Sequence, residues 1–310
     1  MQLLRDLPCS PAMPHFDFAR YNQQLPRPIN RTANMNLPPP LAASPPLVLA
    51  VRAAERAGKR IAKLYGQAFT ATRKEVAGQS QGFVTQADLE AEQAIIETIR
   101  EQYPQHEILS EESHPELAGS AADLWILDPL DGTNNFAAGI PHFAVSIAYY
   151  SAGQPVCGVI HQPLSGDYFL ALKSAGAWHN DQRVRVNGHT ALPDTIAAFG
   201  FHYDRGLMMA RTLDALHDLF SHQINGVRRF GAAALDLAWV GCGRFGCFFE
   251  FKLSPWDFAA GRLFVEEAGG QVTTSHGLPL PLAHSSLLAS NGLLHSQLVQ
   301  LLSTHWPPPN

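Results

Sequence analysis

The stretch WILDPLDGTNNF, residues 125–136, ends an apolar run on two aspartates that are three positions apart. The four apolar residues LWIL predict a buried strand, so Asp128 stands where that strand emerges. Pro129 is expected to stop the hydrogen-bond ladder at once, because proline has no N–H to donate. Residues 131–133 are then expected to form a turn. The chain must therefore fold so that two neighbouring carboxylates leave a hydrophobic core together.

Two carboxylates this close, Asp128 and Asp131, need a positive partner. Like charges that lose their hydration repel each other, and both stay ionised only if a cation lies between them. A divalent ion such as Mg²⁺ prefers oxygen ligands and usually shares its shell with a substrate phosphate. Gly132 and Thr133 offer backbone N–H groups and a hydroxyl to such a phosphate. For this stretch alone, an ordinary Asp/Gly turn remains the alternative interpretation.

Composition and charge restrict the class of protein. The chain has 310 residues, of which 46% are hydrophobic and 16% charged, and this predicts a soluble globular protein with one large core or two moderate ones. A formal net charge of -5 provides no basic field for a nucleic-acid backbone, so we expect no direct nucleic-acid partner. No apolar run reaches the roughly 18 residues of a membrane span. The scattered cysteines (Cys9, Cys157, Cys242, Cys247) lack metal-binding spacing, which favours reduced thiols and a cytoplasmic location.

The beginning of the chain differs in composition from the rest. Ten prolines fall within residues 1–46, without helical or strand periodicity, and predict a disordered extension. A start of translation at Met35 is an alternative that one sequence leaves open. Two amphipathic helices are expected next, in residues 44–66 and 84–104.

The remaining sequence changes period twice. Short β-branched and aromatic runs punctuated by turn residues predict antiparallel strands up to about residue 186. From about residue 194, short apolar runs alternate with helices, as in an α/β layer. We therefore divide the folded chain into an N-terminal α+β part, residues 47–190, and a C-terminal α/β part, residues 191–310, with most candidate ligands in the first.

Two further acidic sites strengthen the metal hypothesis. ILSEESH ends another short apolar run on Glu111 and Glu112, although a solvated loop would have the same pattern. LSPWDFAAG places Ser254 as a helix N-cap, Pro255 at the first helical position and Asp257 in the first turn, where the helix dipole favours a carboxylate in any case. Taken together, the three acidic sites fit a two-metal phosphoesterase.

The same motifs carry a family resemblance. EILSEES, WILDPLDGTNNFAAGIPHFAVSIAY and SPWDFAAGRLFVEEAGG, in this order, resemble the inositol monophosphatase family of Mg²⁺-dependent, lithium-sensitive phosphatases. RRFGAAALDLAWVGCGRFGCFFE is similar to the bacterial inositol-1-monophosphatase branch. The resemblance covers about residues 47–305 and implies an α/β fold. In detail it implies a layered αβαβα sandwich of the inositol monophosphatase and fructose-1,6-bisphosphatase type, assembled as a homodimer.

The resemblance also implies a set of metal ligands. They are oxygen donors from three separate segments: Glu111, Asp128, the carbonyl of Leu130, Asp131 and Asp257. In this scheme Asp128 bridges two Mg²⁺ ions. Glu111 is also expected to be catalytic and to reach a third, looser ion through water, with Glu112 behind it orienting the shell.

Further roles follow from the resemblance. Thr133 corresponds to the threonine that hydrogen-bonds the nucleophilic water, and Asp88 to the aspartate that orients this threonine. Taken from the residues alone, Asp88 is a helix N-cap, and both roles are compatible. Gly132, Thr133 and Asp257 are expected to contact substrate. Glu250 is expected to accept hydrogen bonds from inositol hydroxyls, with an exposed strand terminus as its alternative.

One departure from the family pattern concerns a peripheral metal. Gly82 stands where relatives often have an aspartate, two residues before the Val-Thr pair. We therefore expect weaker occupancy of the third ion or altered lithium sensitivity.

The expected activity is Mg²⁺-dependent hydrolysis of inositol 1-phosphate or a similar sugar or polyol phosphate by activated water. Related phosphatases share the metal ligands, so activity on histidinol phosphate, fructose 1,6-bisphosphate or 3'(2'),5'-bisphosphate nucleotides remains open. A regulatory role is a different class, because some bacterial relatives associate with the transcription machinery. Such a role needs a surface rather than a metal site.

Overall fold

The structure is a computed structural model that describes residues 37–67, 72–76, 79–116 and 122–306, with the side chains of residues 72–83 outside the description. The helices are α1 Pro39–Ala42, α2 Pro45–Leu64, α3 Gln86–Arg100, α4 Thr133–Ala137, α5 Leu207–Ser221, α6 Ala233–Gly241, α7 Pro255–Glu267 and α8 His295–Leu302. The strands are β1 Thr72–Val76, β2 Gln79–Val84, β3 Glu107–Ser110, β4 Asp123–Asp131, β5 Ala144–Ser151, β6 Gln154–Gln162, β7 Asp167–Leu172, β8 Gly176–His179, β9 Gln182–Val184, β10 Ile196–Phe199, β11 Gly226–Arg228, β12 Cys247–Leu253, β13 Gln271–Thr273 and β14 Ser285–Ser290.

The predicted first long helix is confirmed, and a short helix precedes it. α2 has Ser44 at its N-cap position and proline in its first turn, where a missing N–H costs nothing. Ahead of it, α1 buries Leu41 completely against the core. Residues 37–46 were expected to be part of a disordered extension, but they contain α1 and the start of α2, because Leu41 packs into the core. Residues 1–36, with Met35, lie outside the described part of the chain.

The strands form two large sheets and a hairpin. One sheet has seven strands in the order β3-β4-β5-β6-β7-β8-β9, and every neighbouring pair is antiparallel except β3 with β4. The other has five strands in the order β11-β10-β12-β14-β13, in which β10 runs parallel to both its neighbours. β1 and β2 form the hairpin. The antiparallel strands expected before residue 190 and the α/β layer expected after it are both present.

Helices and sheets alternate in five layers, which confirms the predicted fold class. α2 and α3 cover one face of the seven-stranded sheet. α6 and α7 cover its other face and also pack against the five-stranded sheet. α5 and α8 cover the outer face of that second sheet. The expected division near residue 190 falls between β9 and β10, and it remains a prediction because the middle helices contact both sheets.

The approach of α7 to the seven-stranded sheet depends on a glycine in β6. A β-carbon at Gly158 would lie 2.9 Å from the carbonyl oxygen of Ala260, so a larger residue would push the helix away. This close packing sets the distance between α7 and the sheet, and therefore the position of the first turn of α7, which carries Asp257. Within the described residues, no helix combines the length and apolar content needed to cross a bilayer.

Candidate active site

A single cavity of about 580 Å³ collects the residues that the sequence predicted for metal and substrate binding. Its lining includes every predicted metal ligand and substrate contact: Glu111, Asp128, Leu130, Asp131, Gly132, Thr133, Glu250 and Asp257. These residues come from the turn after β3, the end of β4 with the start of α4, the middle of β12 and the start of α7. The fold thus brings four distant segments to one place. Asp88 is outside the lining and acts on it through Thr133.

The end of β4 differs from expectation. The strand does not stop at Pro129 but continues to Asp131, with a register shift relative to β5 between Asp128 and Asp131. Two β4 residues, Pro129 and Leu130, lie opposite one β5 residue there, which is the geometry of a β-bulge. The bulge accommodates a residue that has no N–H to donate, so the strand survives its proline. The Leu130 N–H donates instead to Asp128 Oδ1 at 3.0 Å.

The turn after β4 requires glycine. Gly132 has a φ of 94°, in the left-handed region, and α4 begins directly after it at Thr133. A β-carbon at Gly132 would also lie 3.0 Å from the carbonyl oxygen of His142 and 3.3 Å from the Ala232 side chain. The expected three-residue turn is therefore reduced to one residue between a strand and a short helix.

Asp131 is held by the first turn of α6. Its Oδ1 accepts from the Ala233 N–H at 3.2 Å and its Oδ2 from the Ala234 N–H at 2.7 Å. The pKa of Asp131 is raised to about 7, mainly by burial and to a smaller extent by Glu111, against the lowering effect of the two backbone hydrogen bonds. Each carboxylate oxygen keeps a second lone pair, so the contacts to α6 orient Asp131 without using up its capacity as a ligand.

Asp128 and Asp257 show the electrostatic cost of this assembly. Burial, followed by repulsion from Glu111, raises the pKa of each well above its ordinary value, and further carboxylates of the cavity add to both shifts. One compensating contact is a hydrogen bond from the Ser254 N–H to Asp257 Oδ2 at 2.6 Å, which also caps α7 as predicted. The carboxylates therefore repel one another in a site that excludes much of the water.

This donor set fits a divalent cation. Its oxygen atoms belong to carboxylates and a backbone carbonyl, which are the ligands that Mg²⁺ and Ca²⁺ prefer, and a bound cation would relieve the repulsion. Among the described residues, no three His, Cys, Asp or Glu side chains already converge as a closed metal cage. Mg²⁺ does not need such a cage, because it is commonly held by one or two carboxylates with water and substrate oxygens completing the shell.

Thr133 and Asp88 form the link between α3 and the end of β4. The Thr133 hydroxyl donates to Asp88 Oδ1 at 2.9 Å, with the Leu130 carbonyl as a second acceptor at 3.0 Å. Asp88 Oδ2 accepts from the N–H and the hydroxyl of Thr85 at 2.7 and 2.6 Å, which completes a capping box at the start of α3. Burial raises the pKa of Asp88 to about 6 against these hydrogen bonds. Asp88 is therefore not the N-cap itself, which is Thr85, but the third residue of α3, whose carboxylate closes the capping box. The same carboxylate is in position to orient Thr133.

Glu250 lines the cavity from β12. It lies inside β12, opposite Leu287 of β14, so the alternative of an exposed strand terminus is wrong. The pKa of Glu250 is raised to about 8, mainly by burial, with the Arg229 guanidinium opposing this rise and Asp131 adding to it. The carboxylate needs the space above Gly200, where a β-carbon would come within 1.6 Å of Oε2. A hydrogen-bond acceptor is thereby fixed in the wall of the cavity.

Two buried carboxylates near the site were missed from the sequence. Asp236, in the first turn of α6, lines the cavity, is 1% exposed, and its Oδ1 has no hydrogen-bond partner. Glu92 is 4% exposed and lies one helical turn after Asp88 on α3. Each has a sequence signal: Asp236 interrupts the apolar run AAALDLAWV, and Glu92 shares the helix face of Asp88 at a spacing of four.

The weaker occupancy of the third ion, or altered lithium sensitivity, expected from Gly82 stays a prediction. Gly82 lies in β2, within the segment whose side chains are not described. Glu112, expected behind Glu111, is outside the cavity lining, and its backbone N–H donates to Glu92 Oε1.

Sequence comparison places the chain close to one family. The model of the inositol monophosphatase family matches residues 43–306. Nus factor SuhB of Escherichia coli (strain K12) is 44% identical over 250 residues, which cover 80% of this chain and 90% of that protein. Inositol-1-monophosphatase of Caulobacter vibrioides is 39% identical over 256 residues, covering 81% of this chain and 98% of that protein.

Solved structures share the five-layer fold. The extragenic suppressor protein suhB from Bartonella henselae has a TM-score of 0.78 and 38% identity, covering 84% of this chain and 99% of its own. An inositol monophosphate-bound SaIMPase-II has a TM-score of 0.69 and 27% identity, covering 83% and 94%. An IMPase/NADP phosphatase complexed with NADP and Ca²⁺ has a TM-score of 0.73 and 26% identity, with the same coverage.

Proposed function

The chain belongs to the inositol monophosphatase family, and from that premise we propose that it hydrolyses inositol 1-phosphate or a similar polyol phosphate with the help of Mg²⁺. The observation that carries the proposal is the meeting of Glu111, Asp128, Asp131 and Asp257 with the Gly132–Thr133 turn in one cavity. Among relatives, one solved structure holds inositol monophosphate and another holds Ca²⁺, which supports a phosphorylated substrate and a divalent cation.

The ligands that would hold the cations are the oxygen donors at the ends of the three acidic segments: Glu111, Asp128, the Leu130 carbonyl, Asp131 and Asp257. When bound, divalent cations supply Lewis acidity, which makes water a stronger nucleophile at neutral pH and screens the charge of the phosphate. The chain contributes the arrangement of these donors. Asp131 is oriented by α6, and Asp257 by the Ser254 N–H.

Thr133 and Asp88 would handle the proton of the attacking water. Thr133 has one hydroxyl hydrogen, and while this hydrogen is donated to Asp88 Oδ1, the lone pairs of Thr133 are free to accept a hydrogen bond from water. Asp88, with a pKa raised to about 6, is suited to take up a proton near neutral pH. The pair therefore positions the water and provides a base.

Recognition of the polyol would come from Glu250. Ring hydroxyls are hydrogen-bond donors, and a fixed acceptor in the cavity wall binds them while rejecting substrates that leave it unpaired. Gly132 and Thr133 would contact the phosphate through backbone N–H groups. The two contacts divide the cavity into a phosphate end and a hydroxyl end.

The test is a panel of phosphomonoesters assayed with MgCl₂, using wild type, Asp128→Asn and the matched control Asp123→Asn. Asp123 begins the same strand and accepts hydrogen bonds from the hydroxyls of Tyr149 and Ser151, away from the cavity. We expect inositol 1-phosphate to be the preferred substrate. Asp128→Asn should lose more than about 100-fold in activity, because it removes a direct ligand, whereas Asp123→Asn should retain activity. Preference for histidinol phosphate would contradict the assignment of inositol 1-phosphate as the substrate. Near-normal turnover by Asp128→Asn would contradict the metal assignment.

The relatives named Nus factor SuhB favour a second candidate role, in transcription. We propose that such a role uses surfaces apart from the carboxylates. We also propose that the protein is a homodimer in the cytoplasm. The Asp128→Asn variant separates the two functions, because it should bind purified RNA polymerase as well as wild type does. Loss of polymerase binding in the variant would contradict the proposal of a separate surface. The homodimer is tested by measuring the molar mass of the protein in solution by light scattering.

A further inference from the structure

Glu92 is a buried carboxylate that the proposed reaction does not use. It lies on α3, one turn after Asp88, and is 4% exposed among side chains that pack against the seven-stranded sheet. Carboxylates are rarely buried to this extent unless hydrogen bonds compensate the loss of water. The question is therefore which donors Glu92 satisfies.

The donors to Glu92 come from the last residue of β3 and from the turn that follows it. Its Oε1 accepts from the Ser110 hydroxyl, from the Glu112 N–H at 3.2 Å and from the Ser113 N–H at 3.1 Å. These donors lie on both sides of Glu111, which lines the cavity. Because one carboxylate oxygen accepts from donors on both sides of Glu111, it holds the chain before and after that residue.

We propose that Glu92 is a positioning residue that holds the turn of residues 110–113 in the conformation that presents Glu111 to the cavity. The inference rests on the proposed function, since it assigns Glu92 a purpose only if Glu111 is a ligand. Asp88 and Glu92 are four residues apart and therefore share one face of α3. The helix thus fixes both Thr133, through Asp88, and Glu111, through Glu92.

Loss of Glu92 should weaken cation binding more than it weakens folding. Without the carboxylate, the turn loses its shared acceptor, and Ser110, which is fully buried, is left without its partner. Glu111 then has to be ordered when the cation binds. Residues that orient metal ligands typically contribute about 10- to 100-fold to metal affinity.

The experiment titrates MgCl₂ into the full chain by calorimetry and follows the Mg²⁺-dependent rise in melting temperature. Glu92→Ala should weaken Mg²⁺ binding about 10- to 100-fold. Glu92→Gln keeps an oxygen acceptor at the same position and should remain within about threefold of wild type. If Glu92→Ala does not fold, Glu92→Asp replaces it, because the shorter side chain also withdraws the acceptor from the turn.

Thr98→Ala is the matched control. Thr98 is also buried on α3. Its hydroxyl accepts a hydrogen bond from the Arg56 guanidinium and donates one to the Ala94 carbonyl, away from the turn. This variant should lower the melting temperature without changing Mg²⁺ affinity. Unchanged affinity in Glu92→Ala, or an equal loss in Thr98→Ala, would overturn the positioning role. If wild type itself showed no Mg²⁺ response, the proposed function would fail first, and the inference with it.

Discussion

The Thr133 hydroxyl lies 2.9 Å from Asp88 Oδ1, although 45 residues separate the two in the chain. The carboxylate that caps α3 is therefore also the acceptor for the first residue of α4. One side chain therefore contributes both to the N-terminal cap of a helix and to a long-range contact in the candidate site. This sharing couples the placement of Thr133 to the folding of α3.

Removing the Thr133 hydroxyl should impair turnover rather than cation binding. Thr133→Val keeps the shape of the side chain but cannot bond to Asp88 or to water, so kcat should fall roughly 10²- to 10⁴-fold. Thr133→Ser retains the hydroxyl and should keep most of the activity. Steady-state kinetics at saturating MgCl₂, with the half-saturating MgCl₂ concentration measured in parallel, checks this. A large rise in that concentration with kcat unchanged would mean that Thr133 acts on the metal instead.

Replacing Glu250 should change which substrates are preferred. Glu250→Leu removes the acceptor for ring hydroxyls, and kcat/KM for inositol 1-phosphate should fall about 10- to 100-fold, as expected when a buried hydroxyl is left without its hydrogen-bond partner. Phenyl phosphate, which has no ring hydroxyls, should be hydrolysed as before. Equal losses on both substrates would assign Glu250 to the catalytic machinery or to folding.

The ionised carboxylate of Asp236 should lower the free energy of unfolding at neutral and alkaline pH. Burial raises its pKa well above the ordinary value, with Asp131 and Glu250 adding to the rise. The protonated form is thus favoured in the folded protein. Its contribution to stability is complete below the unfolded pKa of 3.8 and is lost as the pH rises through the folded value.

Asp236→Asn removes this titration. The variant should therefore gain about 1–3 kcal/mol of unfolding free energy over wild type at pH 8 without divalent cations, and less as the pH falls. Urea denaturation across this pH range measures the difference. A constant difference at all pH values would show that the charge of Asp236 is not its cause.

Much of the site could be predicted because its signals are local. The Ser254–Pro255–Asp257 start of α7 is set by capping within one turn, and the structure contains it as predicted. The apolar run before Asp128 correctly indicated a buried strand. In both cases the residues that decide the structure are neighbours in the sequence.

Other features depend on partners that are distant in sequence. Pro129 was expected to end β4, but pairing with β5 continues past it through a bulge, which no local rule specifies. The acceptor role of Glu92 depends on a turn about 20 residues away along the chain. The space that Glu250 occupies depends on Gly200 of another segment. Such contacts are determined by packing rather than by periodicity.

The convergence of Glu111, Asp128, Asp131 and Asp257 on shared cations is tested most directly by anomalous diffraction from crystals of the protein grown with MnCl₂. Mn²⁺ prefers the same oxygen ligands as Mg²⁺ and scatters anomalously. We expect anomalous peaks in the cavity in coordination contact with Asp128, shared with Glu111 on one side and Asp257 on the other. Peaks only outside this cavity, or none there under conditions in which the protein hydrolyses phosphomonoesters, would contradict the shared-cation site.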